Sequence, residues 1–296
     1  MTGCESRRRR RRARRARRGS SIDESTRELL SGFRASNKYS WKVVQSEVEA
    51  VVERAAESAD VELLLAFLST CPDDDPGTGP GPGMVWASLC WNVVLPTLGE
   101  HPTSSTADAI CAVLRDHTPR YEEFSTAAYS ALQSVISEEA FRTAALESVC
   151  NILVDECYGS VWRDAIGLLQ YEGYVAAVPH IVAGATRTDY SRATKRIASK
   201  NSTIQSMDIT AAIQSIMAFD PPDMDQAIST MLGHRDIGAR ASVVKALGRY
   251  GNRSVVPALK RRLGGLFSKP ESASNIRELI KSAIEEIKGR AVAQSN

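Results

Sequence analysis

The sequence predicts an all-α fold, an α-solenoid of stacked antiparallel helix pairs. Three observations carry this expectation. Apolar residues recur at helical spacing from residue 22 onward, with no convincing alternation of strand type. Residues 233–264, GHRDIGARASVVKALGRYGNRSVVPALKRRLG, read as two short amphipathic helices around a tight turn. Such a unit cannot bury its apolar face without stacked neighbours. Drifted copies of it lie on both sides, at spacings that suit helical-pair repeats.

Within that unit, Asp236 is placed to cap the first helix and stands four residues before Arg240. Ile237, Ala241, Val244 and Leu247 fall at helical spacing on one face. Gly248 and Gly251 bracket the turn, where left-handed backbone is cheap only for Gly. Pro257 lies in the first turn of the second helix, where its missing N–H costs little. Val256, Leu259 and Leu263 make the second apolar stripe.

The copies are read by offset. Moving 78 positions upstream, Gly173 and Val178-Pro179 align with Gly251 and Val256-Pro257. Moving 31 upstream, Ile216, Ile228 and Leu232 align with Leu247, Leu259 and Leu263, with Asp220 in place of the Gly. Moving 37 downstream, Arg277, Ala283 and Ile284 align with Arg240, Ala246 and Leu247, and an insert near Lys269–Asn275 stretches that spacing. Before residue 160 helical periodicity continues without a clean repeat.

At Arg240, Ala241, Ala246-Leu247-Gly248, Gly251, Val256-Pro257-Ala258-Leu259 and Leu263 the chain resembles a HEAT repeat, above all the short HEAT-like class of bilin lyases. The resemblance implies a HEAT/armadillo-like, right-handed superhelix whose second helices line the concave side. It also implies that Arg240 serves as a structural residue between repeats.

The elements follow in order. Residues 1–21 are expected to be a disordered, Arg-rich tail, and 22–70 an N-terminal helical segment with helices near 24–33, 40–58 and 60–69. Residues 71–83, CPDDDPGTGPGPG, read as a loop or linker, because Pro and Gly break helix and strand alike. Residues 84–296 form the predicted solenoid, clearest over 160–290. Its helices are expected near 84–95, 105–116, 122–136, 138–156, 161–171 and 175–185. The remainder are expected near 189–199, 205–218, 223–232, 237–249, 254–263 and 274–289.

The net charge of +2 conceals a strong asymmetry. Residues 1–18 carry +9, residues 19–159 carry −14 and residues 160–296 carry +7. The Arg run at 7–18 reads as a solvated tail or as sequence upstream of the true start, with a nucleic-acid patch as the sharper alternative. Two basic groups stand out in the C-terminal half: Arg187, Arg192, Lys195, Arg196 and Lys200, then Arg249, Arg253, Lys260, Arg261 and Arg262. Each is either solvated helix surface or part of a ridge that stacked repeats align toward an acidic protein or phosphates.

The chain lacks GxGxxG, GxxxxGK[ST], HExxH and GxSxG, so no catalytic residue and no cofactor is expected. The six Cys form no CxxC pair and the four His are scattered, which argues against a metal site. Cys90, Cys111 and Cys150 sit among apolar residues as core thiols, which suits a reducing, cytoplasmic setting. No apolar stretch reaches the roughly 20 residues of a membrane span.

The expected function is a non-enzymatic scaffold that binds a protein partner along its curved surface. The alternative is a nucleic-acid-binding solenoid that engages nucleic acid through the basic C-terminal half or the Arg-rich tail. That alternative extends to likeness with HEAT-like alkylpurine DNA glycosylases, for which Trp162, Asp164, Tyr171 and Tyr174 would supply rings and a carboxylate. A Trp in a solenoid is more often core.

Overall fold

The computed structural model describes residues 22–35, 41–71, 81–117, 122–155, 159–186, 206–234, 236–264 and 274–293. The Arg-rich tail, nearly all of the Pro/Gly linker, the 187–200 basic group with its expected helix, and most of the insert before residue 274 lie outside them. Every regular element among the described residues is helical, and none of these helices is long and apolar enough to cross a membrane. The chain divides into two compact units, Met1–Ala145 and Leu146–Asn296.

The first unit holds α1 (Glu24–Arg34), α2 (Trp41–Glu57), α3 (Val61–Leu68), α4 (Pro82–Leu89), α5 (Leu95–Glu100), α6 (Thr106–His117) and α7 (Glu122–Ser137). The division falls inside α8 (Glu139–Asp155). Local chemistry sets the boundaries. Asp23 caps α1 by accepting the Thr26 N–H at 2.8 Å, and Asp60 caps α3 by accepting that of Leu63 at 3.2 Å. Pro82 opens α4 at its N1–N2 positions, so the helix starts two residues before the sequence reading placed it. Cys90–Val94 widens into a π turn just ahead of Pro96. A proline ring cannot sit over the carbonyl four residues back, and the wider turn gives it room. The expected helix at 84–95 therefore continues, through this irregularity, to Glu100.

Four buried rings pair up within an otherwise aliphatic core in this unit. Phe33 and Phe67 stack at 6.0 Å, and Trp86 and Phe124 at 5.4 Å. The Trp86 indole N–H donates to the Phe67 carbonyl at 3.2 Å, so a fully buried Trp leaves no polar atom unpaired. Cys71, Cys90 and Cys111 are buried here outside any disulfide, as Cys150 is in the second unit. Burial pushes the Cys90 thiol well above its ordinary range, with Cys71 adding to the shift.

The second unit contains α9 (Gly159–Tyr171), α10 (Val178–Thr186), α11 (Ser206–Phe219), α12 (Met224–Thr230), α13 (Ile237–Tyr250), α14 (Val256–Leu263) and α15 (Ser274–Ala293). Single 3-10 turns precede α10 and α14 at Val175–Ala177 and Arg253–Val255, and one follows α12 at Met231–Gly233. The sequence offsets reappear as helix boundaries. Shifted by 78, 31 and −37, the first residues of α9, α11 and α15 all coincide with Ile237, the start of α13. The 3-10 turns before α10 and α14 are likewise 78 apart.

The buried positions obey the same register. Val161, Asp208, Ala239 and Ile276 are equivalent and buried. So are Ala165, Ala212, Val243 and Ile280, and so are Leu169, Ile216, Leu247 and Ile284. The three sets are four residues apart, which is one helix face. Through that face α9 packs on α11, α11 on α13 and α13 on α15, while α10 packs on α12. Asp208 is the exception in kind. It occupies an aliphatic position with its side chain 3% exposed, and Arg163 of α9 pairs with it at 2.8 Å. A buried carboxylate without such a partner would be costly.

Two expectations need correction. Ile237 is 49% exposed, and the apolar face of α13 is carried instead by Ala239, Val243, Val244, Ala246 and Leu247. The first residue of α13 lies at the fringe of its neighbours' cover. Gly251 does not use left-handed backbone: its φ is −66° and its ψ 152°. Glycine is required there for space, because a Cβ would stand 2.5 Å from the Leu247 carbonyl oxygen. The equivalent turns do use positive φ, at +64° for Gly173 and +45° for Asp220. Around Gly173 the Tyr174 N–H bonds to the Leu169 carbonyl and the Gly173 N–H to that of Gln170, a Schellman closure.

Candidate binding site

The second unit presents its candidate basic residues on two different helices. Arg249 lies exposed on α13. Arg253 is exposed in the 3-10 turn ahead of α14, and Lys260, Arg261 and Arg262 occupy the last turn of α14. That turn follows from the sequence: Pro257 starts the helix, Leu259 is its buried anchor, and Gly264 ends it with φ at 105°. Three cations in a C-terminal turn also suit the negative end of the helix dipole.

Arg261 and Arg262 line a cleft of about 430 Å³ together with Ser229, Thr230, Leu232, Gly233 and Ala258. The cleft therefore lies between α14 and the end of α12. Gly233 keeps it open on that side, because a Cβ there would come within 3.3 Å of the Arg262 guanidinium. The Ser229 and Thr230 hydroxyls donate back to the Gln226 carbonyl at 2.9 and 3.0 Å. Their oxygens remain acceptors, so the charged donors of the cleft are guanidinium groups. Such a site suits a carboxylate or a phosphate, which a guanidinium can bind through two parallel N–H donors.

Lys260 and Arg261 are exposed, whereas Arg262 is half-buried. Arg249 opens onto a separate groove among α11, α13 and α15. Arg187, Arg192, Lys195, Arg196 and Lys200 lie outside the described residues. Sequence reasoning missed Ser229, Thr230 and Gly233. The offset of 31 places Thr230 opposite Arg261 and Gly233 opposite Gly264, and that correspondence was the available signal.

Arg240 is not a surface charge. Its guanidinium donates to the His234 carbonyl at 2.7 Å and braces the entry to α13, where Asp236 caps the helix by accepting the Ala239 N–H at 2.7 Å. The ring-and-carboxylate set is dispersed. Trp162 is fully buried and its indole donates to the Leu153 carbonyl at 3.0 Å, so its faces are unavailable to stack on a ligand. Asp164 is exposed as a residue, yet desolvation at its carboxyl raises its pKa, with the Arg163 guanidinium pulling the other way. Tyr171 is 79% exposed. Burial raises the Tyr174 phenol, and Cys150 and Glu147 add to the shift.

Among the described residues, no three His, Cys, Asp or Glu side chains are grouped to hold a metal ion. No family model, no curated protein and no solved structure matches this chain. Fold and geometry therefore define it, as an all-helical protein with a two-guanidinium cleft in its second unit.

Proposed function

We propose that the second unit is a short α-solenoid of HEAT-like helix pairs, and that the chain is a non-enzymatic scaffold for an acidic protein partner. The observation that carries this reading is the cleft of Arg261 and Arg262 between α12 and α14. The recurrence of helix starts and buried positions at the three offsets supports the architecture. In that architecture α10, α12 and α14 are the second helices of their pairs, and their row is where an extended partner lies. From fold to function the step is one of analogy, and the cleft chemistry narrows it to a carboxylate-bearing surface.

The test uses a partner captured from the native host and reversal of Lys260, Arg261 and Arg262 to Glu. Affinity is measured for both proteins at about 0.15 M and about 0.5 M salt. The triple variant should bind at least roughly tenfold more weakly and lose most of the salt dependence, with an unchanged melting temperature. Equal affinity and equal salt response would assign the cluster to solvated surface. The run Lys260-Arg261-Arg262 also sustains a second reading, in which nucleic acid is the partner. Salt-dependent retention on DNA by protein lacking residues 1–21 favours it, because ten tail Arg would hold any polyanion.

A further inference from the structure

The groove onto which Arg249 opens encloses about 510 Å³ across α11, α13 and α15. Its floor is apolar: Ile213, Ala246 and Ala283 are buried, and Met217 and Leu279 half-buried. Close helix packing shapes it. Gly248 lets α15 approach α13 so nearly that a Cβ there would meet the Ala283 methyl at 3.1 Å. Arg290 fixes the approach by donating to the Gly248 carbonyl and, at 2.6 Å, to that of Gly251. These bonds satisfy carbonyls that the end of α13 leaves open.

The rim is charged in a defined order. Lys245 and Arg249 are one helical turn apart on α13 and share a face. Both are exposed, and neither forms an ion pair with a described residue. Tyr250, 51% exposed, stands beside them. On the α15 side Glu286 carries the opposite charge and accepts a hydrogen bond from the Ser282 hydroxyl at 3.3 Å. The Thr210 hydroxyl donates to that of Ser242 at 3.2 Å.

From this juxtaposition we infer a second docking site, for an acidic amphipathic peptide segment of a partner protein. Its carboxylates meet Lys245 and Arg249, and a large apolar side chain enters between Met217 and Leu279. This is recognition of an amphipathic helix in a groove. Lys245 and Arg249, which form no ion pair with a described residue and outnumber the single Glu286 of the rim, decide the sign, and the buried aliphatic floor makes an apolar stripe necessary. The site is separate from the Arg261–Arg262 cleft and stands whether or not that cleft binds anything.

The probe is a fluorescein-labelled peptide of roughly 16 residues, long enough to form a helix and built from Leu, Ala and Glu with one apolar stripe. It is titrated against the full chain and followed by anisotropy. A scrambled peptide of the same composition controls for attraction to the Arg-rich tail. Decanoate is titrated as the small amphipathic acid. The striped peptide should bind at least roughly tenfold more tightly than the scrambled one. Lys245→Glu with Arg249→Glu should erase that preference. Ser282→Trp, at an exposed position, should erase it by filling the groove while leaving the melting temperature unchanged. The Lys260, Arg261 and Arg262 reversal should leave it intact. Equal binding of striped and scrambled peptides overturns the proposal, as does persistence of the preference in both groove variants. Calorimetric binding of decanoate, abolished by Lys245→Glu with Arg249→Glu, without peptide binding replaces it with a small-acid site. Loss of the preference in the Lys260–Arg262 variant alone moves the peptide to the other cleft, which sinks this inference and spares the first.

Discussion

In the first unit, Trp86, Phe124, Phe33 and Phe67 meet ring to ring, and the Trp86 indole ties two helices together through the Phe67 carbonyl. In the second, the core positions, Asp208 apart, are Leu, Ile, Val and Ala repeated at one register of α9, α11, α13 and α15. Side-chain bonds link successive members of that row: Arg163 to Asp208, Gln170 to Ser215, Thr210 to Ser242 and Arg290 to Gly248. The contrast explains why repeats are visible in one half of the sequence only. A helix that meets equivalent neighbours through equivalent positions must repeat its side chains. Large rings packed against one another need a unique arrangement and leave no period.

The sharpest way to break this comparison is Trp86→Ala. Removing a fully buried Trp should cost about 3–5 kcal/mol, the largest single loss in either unit. Denaturant unfolding with hydrogen-exchange mapping should show protection lost within residues 22–145. A loss under about 1 kcal/mol would mean that the rings do not organise this core.

Next come the equivalent residues Leu169, Ile216, Leu247 and Ile284, each changed to Ala. Each should cost about 2–5 kcal/mol, and the four values should lie close together because their surroundings repeat. An unchanged melting profile for Leu247→Ala would show that the helix phase is wrong.

A smaller effect is expected at Asp208. Asp208→Ala should destabilise by about 1–3 kcal/mol, less than for a fully buried pair, because Arg163 can turn to water. Replacing Asp208 with Ile and Arg163 with Met together should be near neutral, since Ile276 shows that the register accepts an aliphatic side chain. A double variant as unstable as the single one would mean that the charge pair has a role beyond satisfying Asp208.

Smallest is the pH response of Cys150. Burial, reinforced by the negative charge of Glu147, lifts its thiol from 9.0 to about 12. The raised native value means that the unfolded chain loses this proton first. The contribution to stability is therefore complete below pH 9 and declines as pH rises toward 12. The melting temperature of wild type minus that of Cys150→Ala should narrow over that window, and the native thiol should resist iodoacetamide at pH 8. A constant difference would place Cys150 in contact with water.

Helix positions in both units were legible because they rest on local signals. Asp236 caps through its own carboxylate and Pro257 marks a helix start, as the sequence reads, whereas Pro82, read as part of the linker, opens α4. Periodicity showed the apolar face of α13 but not its edges, so Ile237 was assigned to a core that its neighbours do not reach. Gly251 was correctly placed in the turn for a different reason, since its need is space beside the Leu247 carbonyl rather than a left-handed dihedral.

By itself the sequence determined that the described chain is helical, where most of its helices lie, and the offsets at which helix starts and buried positions of the second unit recur. These are properties of residues within a few positions of each other, where capping and side-chain period act. Only the tertiary structure decided which charges work together. Arg249 and Arg261 belong to one basic run in the chain, yet one opens toward α11 and α15 and the other toward the end of α12. The far wall of each comes from other helices, α11 and α15 for Arg249 and the end of α12 for Arg261, brought close by how the helices pack. Charge order along a chain holds no record of that packing.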